Sequence, residues 1–458
     1  MTMEARKNPA PEQGARIRFL IRALPCAALC LITAVQAQVR TPPAGPPDPE
    51  ANAKYIVGFR PGTSVADRAA SVSRAGAVLR FNYTIVDAAA VTVPNVNALA
   101  AFQRDVSVLH IIPDRAIHAI QAPGQGPEGK GKPGGGSGPQ VIPEGVKRVG
   151  MPTSLSNGSG VGVAVADTGI DLANADLAVA PQTFTAFKGS CQDMDGHGTH
   201  VTGIIAARDN TIGVVGVAPK ATPYCVKVLN DVGSGTDSTL IAGLNWVHDN
   251  AQQVIPRIRV VNMSLGRDGT VDDNPSLREA VQAVYNDGIV VVVAAGNDAS
   301  MVVRQQVPAT YPEVFAVAST TAKGGTNSGC RSFSGAVFAD TASYFTTDGL
   351  FDWVTRIGVA ISAPGEDQEN VSKSCFLTSV GILSLKPGGG TTRMSGTSMA
   401  APHVTGIVAR LMASGLADPE NIRFTIRHDA VLKETAPRDS PSRSYTFDGE
   451  REGIAKAP

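Results

Sequence analysis

The sequence lacks an excess of charge of either sign. Among its 458 residues, 40 lysines and arginines are balanced by 40 aspartates and glutamates. Proteins that attract nucleic acid, an anionic membrane or an acidic substrate through their overall field carry a marked net charge. We therefore expect no nucleic-acid partner. The hydrophobic share of 43% allows a sizeable core, and the length leaves room for about three domains.

The sequence also lacks an apolar run of the roughly 20 residues that span a bilayer. The nearest candidate is ALPCAALCLITAV near the N-terminus, which follows three arginines and ends in AVQA. This pattern is typical of a secretory signal. We predict a signal peptide at 1–37, cut near Ala37, and a Pro-rich spacer at 38–53; the alternative is an uncleaved membrane anchor. The protein is then secreted or periplasmic, with no stable membrane span.

Cysteine is scarce, and two of the six cysteines belong to the predicted signal. The others, Cys191, Cys225, Cys330 and Cys375, form no CxxC pair that would indicate a zinc site,. An even number in an exported chain favours two disulfides. Four cysteines allow three pairings; we favour Cys191 with Cys225 and Cys330 with Cys375, and the other pairings remain open.

Residues 54–120 predict a compact α+β unit. KYIVGF, AVLRFNYTI, AAAVTV and VSVLHII have the pattern of strands, and apolar residues recur at helical spacing after the first and the third,. The resulting order, β-α-β-β-α-β, is that of a split βαβ or ferredoxin-like unit.

Residues 121–140 are rich in glycine and proline, which predicts a flexible linker that a protease can cut. Lys130 and the glycines before it match a phosphate-binding loop only as far as Gly131, where serine or threonine should hold magnesium,. No strand precedes this stretch and no helix can follow it. We therefore expect no nucleotide to bind there.

Residues 141–436 predict a doubly wound α/β domain, followed by a C-terminal extension at 437–458. VGVAVAD, PYCVKVL, VVNMSLG, IVVVVAAGN and VFAVAST are near-continuous apolar runs, typical of strands buried on both faces of a parallel sheet,. Helical patterns lie between them. The predicted fold class is a mainly parallel sheet with helices on both faces, preceded by the small α+β unit. A dinucleotide-binding oxidoreductase is excluded because the glycines of NGSGVGVAV precede their strand.

Functional residues of such sheets follow the carboxyl ends of the strands. Four candidates stand at predicted strand ends or helix starts: Asp167, His197, Asn297 and Ser398. Aspartate, histidine and serine in this order form one of the known hydrolytic triads. The serine needs the imidazole to accept its proton, and a carboxylate must hold the imidazole. Asn297 Nδ2 and the backbone N–H of Ser398 are our candidates for the oxyanion hole.

Other polar residues of the same motifs offer alternatives. His197 and His200 are three residues apart, but the HExxH pattern of a zinc protease is absent,. Ser395 precedes the predicted helix start and His403 lies further along that helix, so we expect neither to take part in chemistry. Pro402 is expected to be tolerated because N–H groups in the first helical turn have no intrahelical partner.

Over most of residues 145–412 these motifs resemble the subtilisin-like serine proteases, the subtilase family or peptidase S8. The resemblance implies that GSG and SLG are strands flanking a bound peptide and that Ala295 and Gly296, before Asn297, also contact substrate. The substrate-binding residues implied in this way are Gly233, Ser234, Gly235, Ser264, Leu265, Gly266, Ala295 and Gly296. It also implies that residues 54–120 are an inhibitory, I9-like propeptide. Relatives often hold structural calcium; acidic loops such as VDDN are candidates, but no ligand is predicted.

The expected function is that of a secreted, monomeric serine endopeptidase that needs no cofactor for chemistry. Protein or peptide substrates would bind in extended form through backbone hydrogen bonds. The precursor would cut itself between about residues 118 and 141 and retain its propeptide as an intramolecular inhibitor. Substrate preference is not predicted, since Arg267 and Asp268 follow SLG where many relatives have small residues. The alternative is a catalytically inactive subtilase fold that serves as a binding or assembly module.

Overall fold

The computed structural model describes residues 52–122, 139–151, 156–331, 337–430 and 452–457. The predicted signal peptide and nearly all of the spacer, together with most of the linker and of the C-terminal extension, lie outside the described residues. Within the described ranges, no helix combines the length and the apolar character needed to cross a membrane.

A small α+β unit occupies the first described range. In chain order it consists of β1 (Ala53–Phe59), α1 (Val65–Arg74), β2 (Val78–Asn82), β3 (Ala88–Val93), α2 (Val96–Arg104) and β4 (Val108–Pro113). The strands form an antiparallel sheet in the order β2-β3-β1-β4. Successive residues of β1 serve opposite faces. Val57 packs with Val72 of α1 and Phe102 of α2, whereas Ile56 belongs to the core of the large domain.

A fifth strand, β5 (Ala116–Ala119), leaves this sheet, and the large domain begins after it. The elements of that domain are α3 (Glu144–Arg148), β6 (Gly162–Asp167), β7 (Phe184–Thr185), α4 (His197–Ala206), β8 (Thr222–Lys227), β9 (Ser234–Thr236), α5 (Asp237–Asn250), β10 (Ile258–Met263), β11 (Leu265–Asp268), α6 (Pro275–Asn286), β12 (Val290–Ala294), a 3-10 turn (Val303–Gln305), β13 (Gln306–Val307), β14 (Val314–Thr321), β15 (Val359–Glu366), β16 (Gln368–Val371), β17 (Leu377–Val380), β18 (Ile382–Leu385), β19 (Thr391–Met394), α7 (Thr397–Ala413) and α8 (Pro419–Asp429).

Seven parallel strands form the central sheet of the large domain, in the order β15-β14-β12-β10-β6-β8-β7. Alternate residues of each strand pack into two separate hydrophobic cores, one on each face of the sheet. Val163 and Val165 of β6 pack on the side of α4, α7 and α8, while Ala164 and Ala166 pack on the side of α5 and α6. Both faces are therefore covered, which explains the continuous apolar runs and confirms the predicted fold class.

Some features of this domain differ from the sequence prediction. The run VVNMSLG is not one strand, because β10 ends at Met263 and β11 begins at Leu265. The strands from β15 to β19 were not predicted. Ile454 pairs with Ser362 of β15 and is fully buried, so part of the C-terminal stretch packs into the domain.

Two disulfides tie loops of the large domain together. Cys191 is bonded to Cys225 of β8, and Cys330 is bonded to Cys375 in the turn between β16 and β17. The favoured pairing is thus confirmed. The other four-stranded sheet has the order β13-β11-β5-β9, so β5 of the small unit lies between two strands of the large domain.

Candidate active site

Three of the predicted residues converge at the carboxyl edge of the central sheet. Asp167 is the last residue of β6, His197 is the first of α4 and Ser398 is the second of α7, and all three are fully buried. His197 Nδ1 lies 2.8 Å from Asp167 Oδ1. A side chain at Gly198 would place its Cβ 2.1 Å from a backbone oxygen, so glycine is required for this close approach of α4 to the strand end.

The charge around His197 sets its protonation. Burial by itself lowers the pKa of the imidazole, but the charge and hydrogen bond of Asp167 raise it more, and Asp195 and Asp193 act in the same direction. The net result is a pKa above the ordinary value of about 6.5,. The negative charge of Asp167 thus favours the protonated imidazole that would form if His197 accepted a proton,.

Ser398 Oγ donates a hydrogen bond to the carbonyl of Ser264 at 3.0 Å. His197 Nε2, which is buried, has no hydrogen-bond partner within the described part of the chain. The serine hydroxyl is therefore bonded to the backbone between β10 and β11 and not to the imidazole.

Pro402 lies further inside the helix than was expected from the sequence. It is the sixth residue of α7, beyond the first turn, so it removes the N–H that would bond to the carbonyl of Ser398,. Ser264 Oγ donates to that carbonyl instead, at 2.9 Å. The proline is tolerated because a neighbouring hydroxyl replaces the lost donor. No sequence signal marks this role of the Ser264 side chain.

A segment of the chain itself crosses the site. In β5, Ile117 is opposite Gly235 of β9 and His118 is opposite Gly266 of β11, so the strands of GSG and SLG flank a segment of the chain itself. At its end, the N–H of Ile120 donates to the carbonyl of Ser264 at 3.3 Å. That oxygen also accepts the Ser398 hydroxyl, so the Ile120 backbone and the serine lie side by side.

The carbonyl of Ile120 lies near the predicted oxyanion donor, Asn297. A Cβ built on Gly396 would lie 2.9 Å from the Ile120 carbonyl oxygen and 2.8 Å from Asn297 Nδ2, so both groups border one small space. Asn297 Oδ1 accepts from the N–H and the hydroxyl of Thr397, both at 2.9 Å, which fixes the amide orientation. Asn297 Nδ2 is buried without a partner among the described residues.

Beyond Ile120 the segment continues past the serine. The N–H of Ala122 donates to the carbonyl of Ser395 at 2.9 Å. Backbone contacts therefore hold the segment on both sides of the Ile120–Gln121 peptide bond.

The side chains of His200 and His403 do not contact this segment, because they bond to the carbonyls of Ile382 and Met399 respectively.

Two pockets receive side chains of the crossing segment. Ile117 is fully buried in the core that includes α5 and α6. Ile120 lies against an open cleft of about 540 Å³. The cleft is also lined by Gly266, Asp268, Asn297, Asp298 and Gln306. Ala295 and Gly296, predicted to contact substrate, do not line this cleft and are buried in their strand-end turn.

Arg267, which follows SLG, does not enter that cleft as a free charge. Its guanidinium binds Asp237 at the start of α5 and Asp273 in the VDDN loop. Arg115 of the crossing segment binds Asp273 as well, at 2.6 Å. Asn274 of the same loop caps α6 and donates to Asp237. The VDDN loop thus binds guanidinium groups and does not fit a calcium ion.

A different loop does fit a calcium ion. Gln140 Nε2 lies 2.7–3.4 Å from four oxygens at once. These are the carbonyls of Arg208, Ile212 and Val214 and the side-chain oxygen of Asn210. An amide nitrogen has only two hydrogens, and the carboxylate of Asp176 adjoins the group through Asn210. Carbonyl, amide and carboxylate oxygens are the ligands that calcium prefers. The described residues contain no cluster of three or more His, Cys, Asp or Glu side chains suited to a metal.

Comparison with known proteins places this geometry in context. The family model described as Peptidase_S8, the subtilase family, matches residues 158–447. Subtilisin E from Bacillus subtilis (strain 168) is 33% identical over 370 residues, which cover 79% of this chain and 80% of that protein. Subtilisin Savinase from Lederbergia lenta is 36% identical over 274 residues, covering 59% of this chain and 84% of that protein.

Solved structures agree with this comparison. The crystal structure of a cold adapted subtilisin-like serine proteinase has a TM-score of 0.50 and 26% identity, and it covers 67% of this chain and 98% of its own. The range matched by the family model contains Asp167, His197, Asn297 and Ser398.

Proposed function

The chain belongs to the subtilase family of serine proteases, and from this we propose that it is an endopeptidase whose nucleophile is Ser398. The observation that supports this most is the shared acceptor: the Ser398 hydroxyl and the N–H of Ile120 both bond to the carbonyl of Ser264. The carbonyl of Ile120 in the bound segment borders the same small space as Asn297 Nδ2, a buried donor with no partner among the described residues.

The proposed reaction begins when Ser398 Oγ turns from the Ser264 carbonyl and attacks the substrate carbonyl. His197 Nε2 takes the hydroxyl proton, and Asp167 stabilises the imidazolium through Nδ1–H. Asn297 Nδ2 and the N–H of Ser398 at the positive end of α7 stabilise the oxyanion. The imidazolium then protonates the leaving amine, and water attacks the acyl-enzyme through the same histidine.

The same geometry supports self-processing at the Ile120–Gln121 bond. This position lies within the predicted range of 118 to 141, and the Ile120 carbonyl borders the same small space as Asn297 Nδ2. After cleavage, β5 would remain between β9 and β11 and block the substrate cleft. We propose that residues 54–120 are the inhibitory propeptide and that the mature, disulfide-bonded enzyme is secreted,.

N-terminal sequencing of the secreted product tests this proposal. The wild type should yield a new N-terminus at Gln121, whereas Ser398→Ala should accumulate a precursor that is uncut at this bond. Ser374→Ala, which changes an exposed serine outside the site, should mature normally. Maturation of purified Ser398→Ala without another protease would show that processing is not autocatalytic.

An inactive binding module is the alternative, and a serine-directed phosphonate distinguishes the two. The endopeptidase should be labelled at Ser398 once the precursor has been processed and the propeptide removed. Processed protein that carries no label, and releases no product from a casein substrate, would favour the binding module.

We also propose that the oxygens around Gln140 bind a structural calcium ion that takes no part in the reaction. Calcium should raise the thermal unfolding midpoint, and Asp176→Asn should abolish most of that increase because it removes the carboxylate of the site. Asp209→Asn, an exposed neighbour outside the oxygen cluster, is the matched control. Equal calcium responses of the two variants would exclude this site.

A further inference from the structure

A second cavity lies apart from the peptide cleft, beside the C-terminal half of α7. It has a volume of about 630 Å³. Three cationic side chains line it, those of Arg208, Lys220 and Arg410, against one carboxylate, that of Asp209. The hydroxyls of Ser156 and Ser159 add further polar groups to its wall. Arg208 and Asn210 of this lining also belong to the proposed calcium cluster, through the Arg208 carbonyl and the Asn210 side-chain oxygen, but the three cationic side chains are not part of that cluster.

Arg410 is the unusual member of this group. It projects from α7, is only 1% exposed, and lies among apolar core residues of that helix. Nη1 contacts the Met151 sulfur at 2.6 Å and the Val217 carbonyl at 2.9 Å. Nε has no hydrogen-bond partner among the described residues. Burial lowers the pKa of Arg410, which reflects the cost of keeping its charge there.

No described carboxylate lies within ion-pair distance of Arg410, Arg208 or Lys220, although the charge of Arg208 acts on Asp176. A buried guanidinium without a counter-ion is costly, since arginines in protein interiors are normally paired. Arginine also offers a planar set of donors that matches tetrahedral oxyanions. The cavity is open to the exposed lysine and Arg208, so an anion can enter from solvent.

We propose that this cavity is a binding site for a small tetrahedral oxyanion of the phosphate or sulfate class. Arg410 is the buried anchor, and Lys220 and Arg208 neutralise the remaining charge at the entrance. The bound anion stabilises α7 at the end opposite to Ser398. The site is independent of the proposed peptidase chemistry, since none of its residues contacts Asp167, His197 or Ser398.

The test uses the full-length chain with Ser398→Ala, which prevents self-digestion. Thermal unfolding is followed in sodium phosphate, in sodium sulfate and in sodium chloride at equal ionic strength, and phosphate binding is measured by calorimetry. Phosphate and sulfate should raise the midpoint more than chloride does. The increase should grow with the logarithm of phosphate concentration once the site is saturated.

Substitutions in the cavity test whether phosphate binds there. Arg410→Met should abolish phosphate binding, and Lys220→Ala, an exposed change that the fold tolerates, should weaken it up to about fivefold. Lys188→Ala removes an exposed lysine that does not line the cavity and should bind like the parent. Equal midpoints in phosphate and chloride, or an equal loss in Lys188→Ala and Lys220→Ala, would overturn the proposal. If Arg410→Met does not fold, Lys220→Ala and Arg208→Ala decide the outcome.

Discussion

The side chain and the carbonyl of Ser264 both act on the proposed nucleophile. The Ser264 carbonyl accepts a hydrogen bond from the Ser398 hydroxyl. The Ser264 hydroxyl donates to the Ser398 carbonyl, which has no helical donor because residue 402 is a proline. Asn262 Nδ2 in turn donates to the Ser264 hydroxyl at 3.0 Å. The position of the nucleophile in α7 is thus held by a residue of a neighbouring strand segment.

Ser264→Ala should therefore destabilise the fold by about 1–3 kcal/mol, because it leaves the buried Ser398 carbonyl without a donor. It should also lower kcat more than it raises KM, since the serine is misplaced while the substrate strand still binds. Adding Pro402→Ala restores a helical N–H and should recover part of both losses. A double-mutant cycle with unfolding and kinetic measurements checks this; strictly additive effects would contradict the coupling.

Asp195 offers a pH test of His197 as the proposed base. The imidazole must be neutral to accept a proton, so activity should rise as the pH passes the raised pKa of His197,. The charge of Asp195 helps to raise the pKa of His197, and its carboxylate accepts a hydrogen bond from the backbone N–H of His197 at 3.1 Å. Asp195→Asn keeps an acceptor but removes the charge, which should shift the acid limb of the kcat profile to lower pH.

Asp209→Asn is the control for this measurement, because Asp209 lies in the second cavity and is not among the charges that act on His197. Its acid limb should coincide with that of the wild type. An unchanged limb in Asp195→Asn would mean that another group controls the rate.

The sequence predicts those functional residues that belong to a recognisable local motif. Asp167, His197, Asn297 and Ser398 follow apolar runs or begin helices, and strand ends of a parallel sheet converge. The hydroxyl of Ser264 and the amide of Gln140 act through contacts between distant segments that have no local pattern. Only the folded structure brings these segments together.

At the scale of secondary structure elements, β5 joins the small unit to the large domain. Its backbone pairs with β9 and β11, and the fully buried side chain of Ile117 fills an apolar pocket that includes Leu240 and Leu265. Backbone pairing alone gives little selectivity. We therefore expect the Ile117 pocket to fix the register that places Ile120 beside Ser398, the proposed nucleophile.

Ile117→Asp should slow self-processing at the Ile120–Gln121 bond by at least about a hundredfold, because burying an unpaired charge costs several kcal/mol. Ile117→Val is the matched control, since the loss of one methylene costs only about 0.5–1.5 kcal/mol. The rate at which the Gln121 N-terminus appears measures both. Similar rates for the aspartate and valine variants would show that the pocket does not set the register.

The elements that were predicted are those with continuous apolar periodicity. Strands β6, β8, β12 and β14 are buried on both faces, so their sequences carry a strong signal,. Strands β16, β17 and β19 are short and partly exposed, and their polar sequences lack a clear apolar pattern. Strand β18 is mostly buried but has only four residues. The break between β10 and β11 at Ser264 is invisible in VVNMSLG because apolar residues continue on both sides.

At the scale of the whole molecule, buried histidines should govern the response to acid. His200 and His403 are fully buried, and burial is the main cause that lowers their pKa values to about 3 and about 4. In the unfolded chain both titrate near 6.5. Below that pH the unfolded state binds protons that the folded state refuses, so stability falls as the pH falls. Glu366 and Glu369 act in the opposite direction, because burial raises their pKa values.

His403→Asn separates these opposing contributions, since asparagine can donate to the Met399 carbonyl as His403 does at 2.8 Å but does not titrate. Each buried histidine that stays neutral should lower the free energy of unfolding by about 2 kcal/mol as the pH falls from 6.5 to 5. The slope of unfolding free energy against pH should therefore fall by about 1.4 kcal/mol per pH unit in His403→Asn. Urea unfolding of the Ser398→Ala chain measures it. His428→Asn changes an exposed histidine and should leave the slope unaltered; an equal slope in all three proteins would show that His403 is not a buried, neutral group.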